Sequence, residues 1–304
     1  MNELMDQFPR AEPLLAATQL ILSMIGMGAT LTWLDFQNIF RRPSPVLLVV
    51  VLQFAVMPLV VVAIGMLGIV PNEILLGLYL LISLPSGAQS NVFTYLGRGD
   101  VPLSITATCA STVVCLLLTP LLLRGLWSLA LPDDFSMPVW SIVSCLVFQM
   151  LLPLAVGMWL GQWQHQQRMV IARGLVKASL VVLGMLVVGA FASGQLAIGR
   201  YGWITPTTIV LLVILTSVAT KLITRALGYN SRQRLTIAVE VTMRNGPLGI
   251  ALCGTLFSAT GPEEPLYAAS LYVCLVAGGA MLVTAGVAVV RRLRATDRAA
   301  ELAG

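Results

Sequence analysis

Apolar residues run along this chain in blocks separated by short polar segments, and most blocks reach the length of about 20 residues that crosses a bilayer as a helix. The blocks predict nine helices, over 13–33, 46–67, 73–96, from after Asp100 to about 129, 138–163, about 172–193, 206–227, about 234–259 and 265–290. Two of them change character halfway. The third is apolar up to Pro85 and then reads Ser86-Gly87-Ala88-Gln89-Ser90-Asn91. The eighth carries Glu240-Val241-Thr242-Met243-Arg244-Asn245-Gly246-Pro247, two opposite charges followed at once by Asn, Gly and Pro. Proline removes a backbone donor, so each helix should break there. A charge in an apolar span costs about 2.5–3.5 kcal/mol even on the mildest scale, which marks Glu240 and Arg244 as functional.

Composition agrees with this reading. Hydrophobic residues make up 58% of the 304 positions and charged residues only 10%, against about 25% in soluble domains. The chain reads as an all-α polytopic membrane protein. Its net charge of +5 does not point to nucleic acid, because the cations are segregated. With the N-terminus outside, fourteen of the eighteen Lys and Arg residues fall on cytoplasmic segments, among them Arg41, Arg42, Arg98, Arg168, Lys221, Arg234 and the tail Arg291, Arg292, Arg294 and Arg298. Arg10, Arg124 and Arg200 fall outside, where Asp133, Asp134, Glu263 and Glu264 also lie. That is the positive-inside pattern, and it puts the C-terminus in the cytoplasm. The first twelve residues hold Glu3, Asp6 and Glu12 against Arg10, the reverse of a secretory leader. The basic tail reads as a stop anchor near anionic membrane lipid. Trp163 and Trp203 read as interface anchors, and Gly278, Gly279 and Gly286 as close helix packing.

Other chemistries find little to use. The five cysteines, Cys109, Cys115, Cys145, Cys253 and Cys274, all sit in apolar spans without a CxxC pair and read as buried small residues. The one histidine, His165, lies in a polar connection with no second histidine for a transition-metal site or an intramembrane Ser–His pair. An enzyme is therefore not expected, nor an organic cofactor. A passive channel or a scaffold would have no use for a buried charge in a broken helix.

Paired interrupted helices point to a secondary transporter with its site near the midplane. The half-helix N-termini at Gly87–Ser90 and Gly246–Leu248 would offer free N–H groups to an anion. Side-chain oxygens and unwound carbonyls beside them suit a small hard cation. Ser104 and Thr108, four residues apart, share a face of the fourth helix, with Ser90, Asn91 and Glu240 as further oxygen donors. Each hydroxyl alone could equally bond to its own helix or join two helices.

The segments Gly26–Leu31, Gln53–Pro58, Ser90-Asn91-Val92-Phe93-Thr94-Tyr95-Leu96 with Arg98-Gly99, Leu103–Thr108, Leu118-Thr119-Pro120, and Glu240-Val241 with Met243 and Asn245 resemble the bile acid:sodium symporter family of secondary transporters. The resemblance covers nearly the whole chain. It implies panel and core domains built from inverted repeats, with two discontinuous helices crossing in the core. Core helices would lie at about 46–129 and 206–259, and panel helices at about 13–33, 138–193 and 265–290. The nine-helix arrangement resembles that of the animal members, and a bacterial inner membrane is the expected location.

By the same resemblance, a first sodium site maps to Ser90, Asn91, Ser104, Thr108 and Glu240. A second maps to Gln53, Glu240, Val241, Met243 and position 244, where the family has glutamine and this chain has Arg244. Substrate contacts map to Ala88, Gln89 and Asn245, beside Gly246. The expected function is sodium-coupled symport of an organic anion, either bile-acid-like or a small carboxylate; a proton-coupled or uncoupled anion carrier is the alternative. Arg244 has three possible roles. It can stand in for the second cation, since Glu240, Arg244 and one sodium carry the same net charge as one carboxylate with two sodium ions. It can pair with the substrate anion. Or it can neutralise Glu240 as an i,i+4 partner.

Overall fold

The computed structural model describes residues 2–41, 43–129, 137–194, 201–257 and 265–301, with no side-chain description for 2–10, 36, 38–40 or 296–301. Arg42, Asp133, Asp134, Arg200, Glu263 and Glu264 lie outside the described residues, and the side chains of Glu3, Asp6, Arg10 and Arg298 likewise.

Every regular element among the described residues is helical. In chain order these are α1 (Asn2–Thr30), α2 (Trp33–Arg41), α3 (Pro43–Val51), α4 (Met57–Met66), α5 (Asn72–Ile82), α6 (Gln89–Leu96), α7 (Val101–Trp127), α8 (Val139–Leu146), α9 (Leu152–Trp163), α10 (Arg168–Ala192), α11 (Ile204–Ala226), α12 (Ser231–Thr242), α13 (Gly246–Leu256) and α14 (Pro265–Glu301). Seven continuous runs are long and apolar enough to cross a membrane: Ala11–Thr30, Pro43–Met66, Val101–Trp127, Val139–Trp163, Arg168–Ala192, Ile204–Ala226 and Pro265–Ala295. The third and eighth blocks are instead split into the pairs α5/α6 and α12/α13, as their Pro and Gly residues predict. Five-residue π segments, Leu52–Val56 and Val147–Leu151, join α3 to α4 and α8 to α9. Each is followed by a proline, Pro58 or Pro153, that cannot donate to the helical ladder, so the preceding turn widens instead of breaking.

Helix ends carry their own signals. Asn230 accepts from the N–H groups of Arg232 and Gln233 and completes a capping box that starts α12. Asp100 accepts from the Leu103 N–H at the start of α7, and its own N–H donates to the Thr236 hydroxyl at 2.9 Å. Thus α12 and α7, which carry most of the site, are locked together at one end.

The helices pack in two groups. α1 lies along α9 and α10, and also meets α13; the other group gathers α5, α11 and α13 around α14, with α7 against α3, α6 and α12. α14, which covers the expected span 265–290, packs along α5, α11 and α13. Close approach explains the partnership: a Cβ on Gly77 would meet the Ser270 Cα at 2.9 Å. α14 also continues to Glu301, well past the expected end near 290. The Gly278, Gly279 and Gly286 expectation is overturned as well, since a Cβ on Gly278 or Gly279 would meet nothing within 4 Å and one on Gly286 only the Phe93 ring edge at 4.0 Å.

The tightest helix contact lies between α1 and α9, where Gly28, Gly157 and Gly161 alternate across the seam. A Cβ on Gly157 would sit 2.1 Å from the Ile25 carbonyl oxygen, and one on Gly161 2.3 Å from that of Ala29. Backbone cannot yield as a side chain can, so Gly157→Val should separate the helices. Overpacking of this kind costs about 1–3 kcal/mol or more. The expected result is a lower thermal midpoint in detergent; an unchanged midpoint would contradict the packing described. All five cysteines are buried and unpaired, as their positions predict.

Candidate functional site

The chain leaves helical geometry between Ser83 and Ala88, and again at Met243–Asn245, and these two interruptions lie against each other. Ser86 and Arg244 pair as an isolated antiparallel bridge. The Asn245 N–H donates to the Pro85 carbonyl at 3.0 Å, and the Gly87 N–H to the Met243 carbonyl at 3.4 Å. Each break therefore satisfies backbone groups that the other has freed, which an apolar surrounding requires. Gly87 permits the approach: a Cβ there would lie 2.4 Å from the Gln89 Oε1 and 3.4 Å from the Asn245 Cα.

Side chains take further carbonyls. Thr119, next to Pro120 in α7, donates to the Ser83 carbonyl at 2.5 Å. Arg244 donates from one terminal nitrogen to the Leu84 carbonyl at 2.9 Å and from the other to the Gln53 carbonyl at 3.1 Å. Its backbone N–H approaches the Met281 sulfur at 3.4 Å. Asn245 caps α13 by accepting from the Leu248 N–H at 3.2 Å, while its own amide nitrogen is buried without a partner.

Glu240 sits on the last turn of α12, fully buried, in a cage of hydroxyls. Ser90 donates to its Oε1 at 2.7 Å, Ser104 donates to the same oxygen, and Thr108 donates to Oε2 at 2.9 Å. Three helices, α6, α7 and α12, thus converge on one carboxylate. All the groups are oxygen donors, and the hydroxyls can rotate to present lone pairs instead of protons, which is the donor set a hard monovalent cation takes.

Of the expected first-site residues, Ser90, Ser104, Thr108 and Glu240 come together. Asn91 is one residue further round α6 and only half-buried; its amide nitrogen approaches the Met27 sulfur at 3.5 Å and its Oδ1 is buried without a hydrogen-bond partner. At the second site, the Gln53 amide donates to the Glu240 carbonyl at 2.8 Å, and its Oε1 has no partner. Val241 and Met243 are buried beside it. Arg244 does not pair with Glu240: its two terminal nitrogens donate to the carbonyls of Leu84 and Gln53, which removes the i,i+4 reading. The guanidinium is a cation held by backbone carbonyls, next to the Gln53 position.

Sequence reasoning missed three participants. Ser86 and Ser111 hydrogen-bond at 3.2 Å, both fully buried, and Thr94 accepts from Ser104 at 3.2 Å. A signal was available, because Thr94 is four residues after Ser90, and Ser111 lies seven after Ser104 on the same helix face.

A cavity of about 350 Å³ opens beside the crossing, between α10, α11, α13 and α14. Gln89 and Arg244 bring polar side chains to its lining beside Met243 and Gly246, while Val187, Phe191 and Ile250 belong to an otherwise apolar wall. Gly278 and Gly279 line it too, which is why nothing packs on them. Ala88 is half-buried one residue before α6, adjacent to Gln89.

Residues 17–200 match the Sodium Bile acid symporter family. The chain is 30% identical over 286 residues to a sodium-dependent transporter of Bacillus subtilis, covering 92% of this chain and 85% of that protein. It is 29% identical over 258 residues to the human hepatic sodium/bile acid cotransporter, covering 81% and 70%. A probable chloroplastic sodium/metabolite cotransporter of Arabidopsis thaliana is 30% identical over 233 residues, 77% of this chain but only 57% of that longer protein. A match over more than half of the residues settles the family: the chain belongs to the sodium bile acid symporter family, whose members are sodium-coupled transporters and not enzymes.

Proposed function

We propose that this protein is a sodium-coupled symporter that moves an organic anion inward by alternating access. The observation that carries the reading is the buried Glu240 carboxylate held by the hydroxyls of Ser90, Ser104 and Thr108 where two broken helices meet. Sodium is the co-substrate there, with Asn91 turning in as a further oxygen donor from its unpartnered Oδ1. The split pairs α5/α6 and α12/α13 add two crossings to the seven continuous ones, giving nine, with the N-terminus outside and the C-terminus in the cytoplasm of a bacterial inner membrane. α1 with α8–α10 forms the panel, and the remaining helices the core that carries the site.

Arg244 serves as a tethered second cation. Its guanidinium lies against the Gln53 and Leu84 carbonyls, so one mobile sodium accompanies each monovalent anion and transport is electroneutral. The anion rests at the crossing, near Ala88, Gln89, Asn245 and Gly246, with the unpartnered Asn245 amide as a donor and its apolar body in the cavity bounded by Gly278 and Gly279. Both bile-acid-like and small carboxylate substrates fit this description.

Uptake into proteoliposomes under an imposed sodium gradient tests the coupling, with pH varied in sodium-free buffer as the control for a proton-coupled or uncoupled carrier. Uptake that persists undiminished without sodium rejects the proposal. Gly279→Leu tests the substrate position. The side chain enters open space, so folding and sodium-induced stabilisation should be retained, while uptake of bulky anions falls by roughly tenfold or more as the added volume overpacks the bound complex. Small carboxylates should be spared. Equal loss of large and small anions would move the substrate elsewhere.

A further inference from the structure

Near the end of the apolar run of α14, cations from three helices face one space. Lys221 of α11, Arg234 of α12, and Arg291 and Arg292 of α14 line a cavity of about 450 Å³ together with Ser231 and Leu235. No acidic residue is among the described residues lining it. Like charges gathered on one cavity repel one another, and a bound anion is what relieves the repulsion. Arg292 is also held in position. It donates to the carbonyl of Ser231, to the Ser231 hydroxyl at 2.7 Å, and to the Arg98 carbonyl at 3.4 Å, while its Nε is buried without a partner.

The surroundings identify the kind of anion. Leu235 and Ala288 give the cavity an apolar part. About one turn toward the membrane interior, α11 exposes Val218 before Lys221 and α14 exposes Val287 before Arg291. A soluble phosphate has no use for such a flank; a lipid has, because its acyl chains continue where its headgroup ends. Basic pockets between transmembrane helices take anionic headgroups on this principle.

We propose that this cavity binds the phosphate headgroup of an anionic membrane lipid, with the acyl chains lying against Val218 and Val287. The site is more than a general attraction of the basic tail to the membrane, because it needs Lys221 and Arg234 from helices distant in sequence. Through Arg292 it joins α14 to the start of α12 and to the Arg98 turn that follows α6. The lipid therefore braces the ends of both interrupted pairs that lie away from the crossing.

Native mass spectrometry of the delipidated full chain, offered phosphatidylglycerol and phosphatidylcholine together, tests the proposal. The native protein should retain phosphatidylglycerol selectively. Lys221→Gln, Arg234→Gln and Arg291→Gln should each reduce that preference by roughly fivefold, and the triple variant should abolish it. Arg168→Gln, on a basic segment away from the cavity, should leave it unchanged. The single variant at exposed Arg291 keeps the test valid should the triple variant fail to fold. Equal retention of the two lipids, indifference to the three substitutions, or displacement of phosphatidylglycerol by inorganic phosphate would each overturn the assignment.

Discussion

Glu240→Gln is expected to abolish sodium-dependent uptake and sodium-induced thermal stabilisation while leaving the fold intact. Glutamine has nearly the shape of glutamate and can still accept from one or two of the hydroxyls of Ser90, Ser104 and Thr108. It lacks the charge that makes the cage attractive to a cation. Two unit charges about 4 Å apart attract by about 4 kcal/mol at an effective dielectric of about 20, so losing the carboxylate's charge weakens sodium binding by about 100-fold or more. Ser104→Ala removes one ligand and keeps the carboxylate, so a smaller loss, of about tenfold, is expected there. A sodium titration of the thermal midpoint reads both variants without needing the substrate. If Glu240→Gln retained native sodium stabilisation, the ion would bind elsewhere and the proposed coupling would lose its basis.

The positions of the two breaks were legible because proline and glycine act locally: Pro85-Ser86-Gly87 and Asn245-Gly246-Pro247 interrupt a helix whatever surrounds them. The Glu240 cage was legible for a related reason. Ser104 and Thr108 share a helix face by spacing alone, and Ser90 and Glu240 stand at the two breaks as the oxygen groups beside them. What could not be read was where Arg244 points. A residue four after Glu240 faces it only while the helix continues, and α12 ends at Thr242. Beyond that residue the backbone is extended, Arg244 pairs with Ser86, and the side chain finds carbonyls at positions 53 and 84, far away in sequence. The open Gly278-Gly279 step was lost in the same way. A stripe of small residues reads alike whether a neighbour fills it or a cavity does.

The crossing links the two cation positions. Glu240 offers its carboxylate to the hydroxyl cage and its carbonyl to Gln53, whose own carbonyl receives Arg244. One chain of contacts therefore runs from the hydroxyl cage through the π segment at Leu52–Val56 to the guanidinium, and through the Leu84 carbonyl to the first break. A cation entering the cage changes the charge balance at the place where both half-helices present their N-termini, which is where an anion would rest.

Arg244→Gln separates the roles that remain for this residue, and its expected effect is a change in stoichiometry. With the guanidinium gone, the Leu84 and Gln53 carbonyls lose their donors. Leaving a buried acceptor unsatisfied costs about 1–3 kcal/mol, so the variant should be less stable without sodium. The same two carbonyls, the unpartnered Gln53 Oε1 and the glutamine oxygen then form an oxygen-lined space that a second sodium can fill. The sodium dependence of uptake should steepen, its Hill coefficient rising from about 1 toward 2, and stability should recover with sodium as ligand binding shifts the folding equilibrium. Because the fixed charge has been exchanged for a mobile one, each cycle should now carry net inward charge, and a current absent from the native protein should appear on solid-supported membranes. Arg244→Lys keeps a cation at the position and should keep the shallow dependence and the silent current. If Arg244 served the substrate instead, Arg244→Gln would raise the KM for the anion and leave the sodium slope where it was. A native protein that already carried current with two sodium ions taken up per anion would refute the tethered-cation role outright.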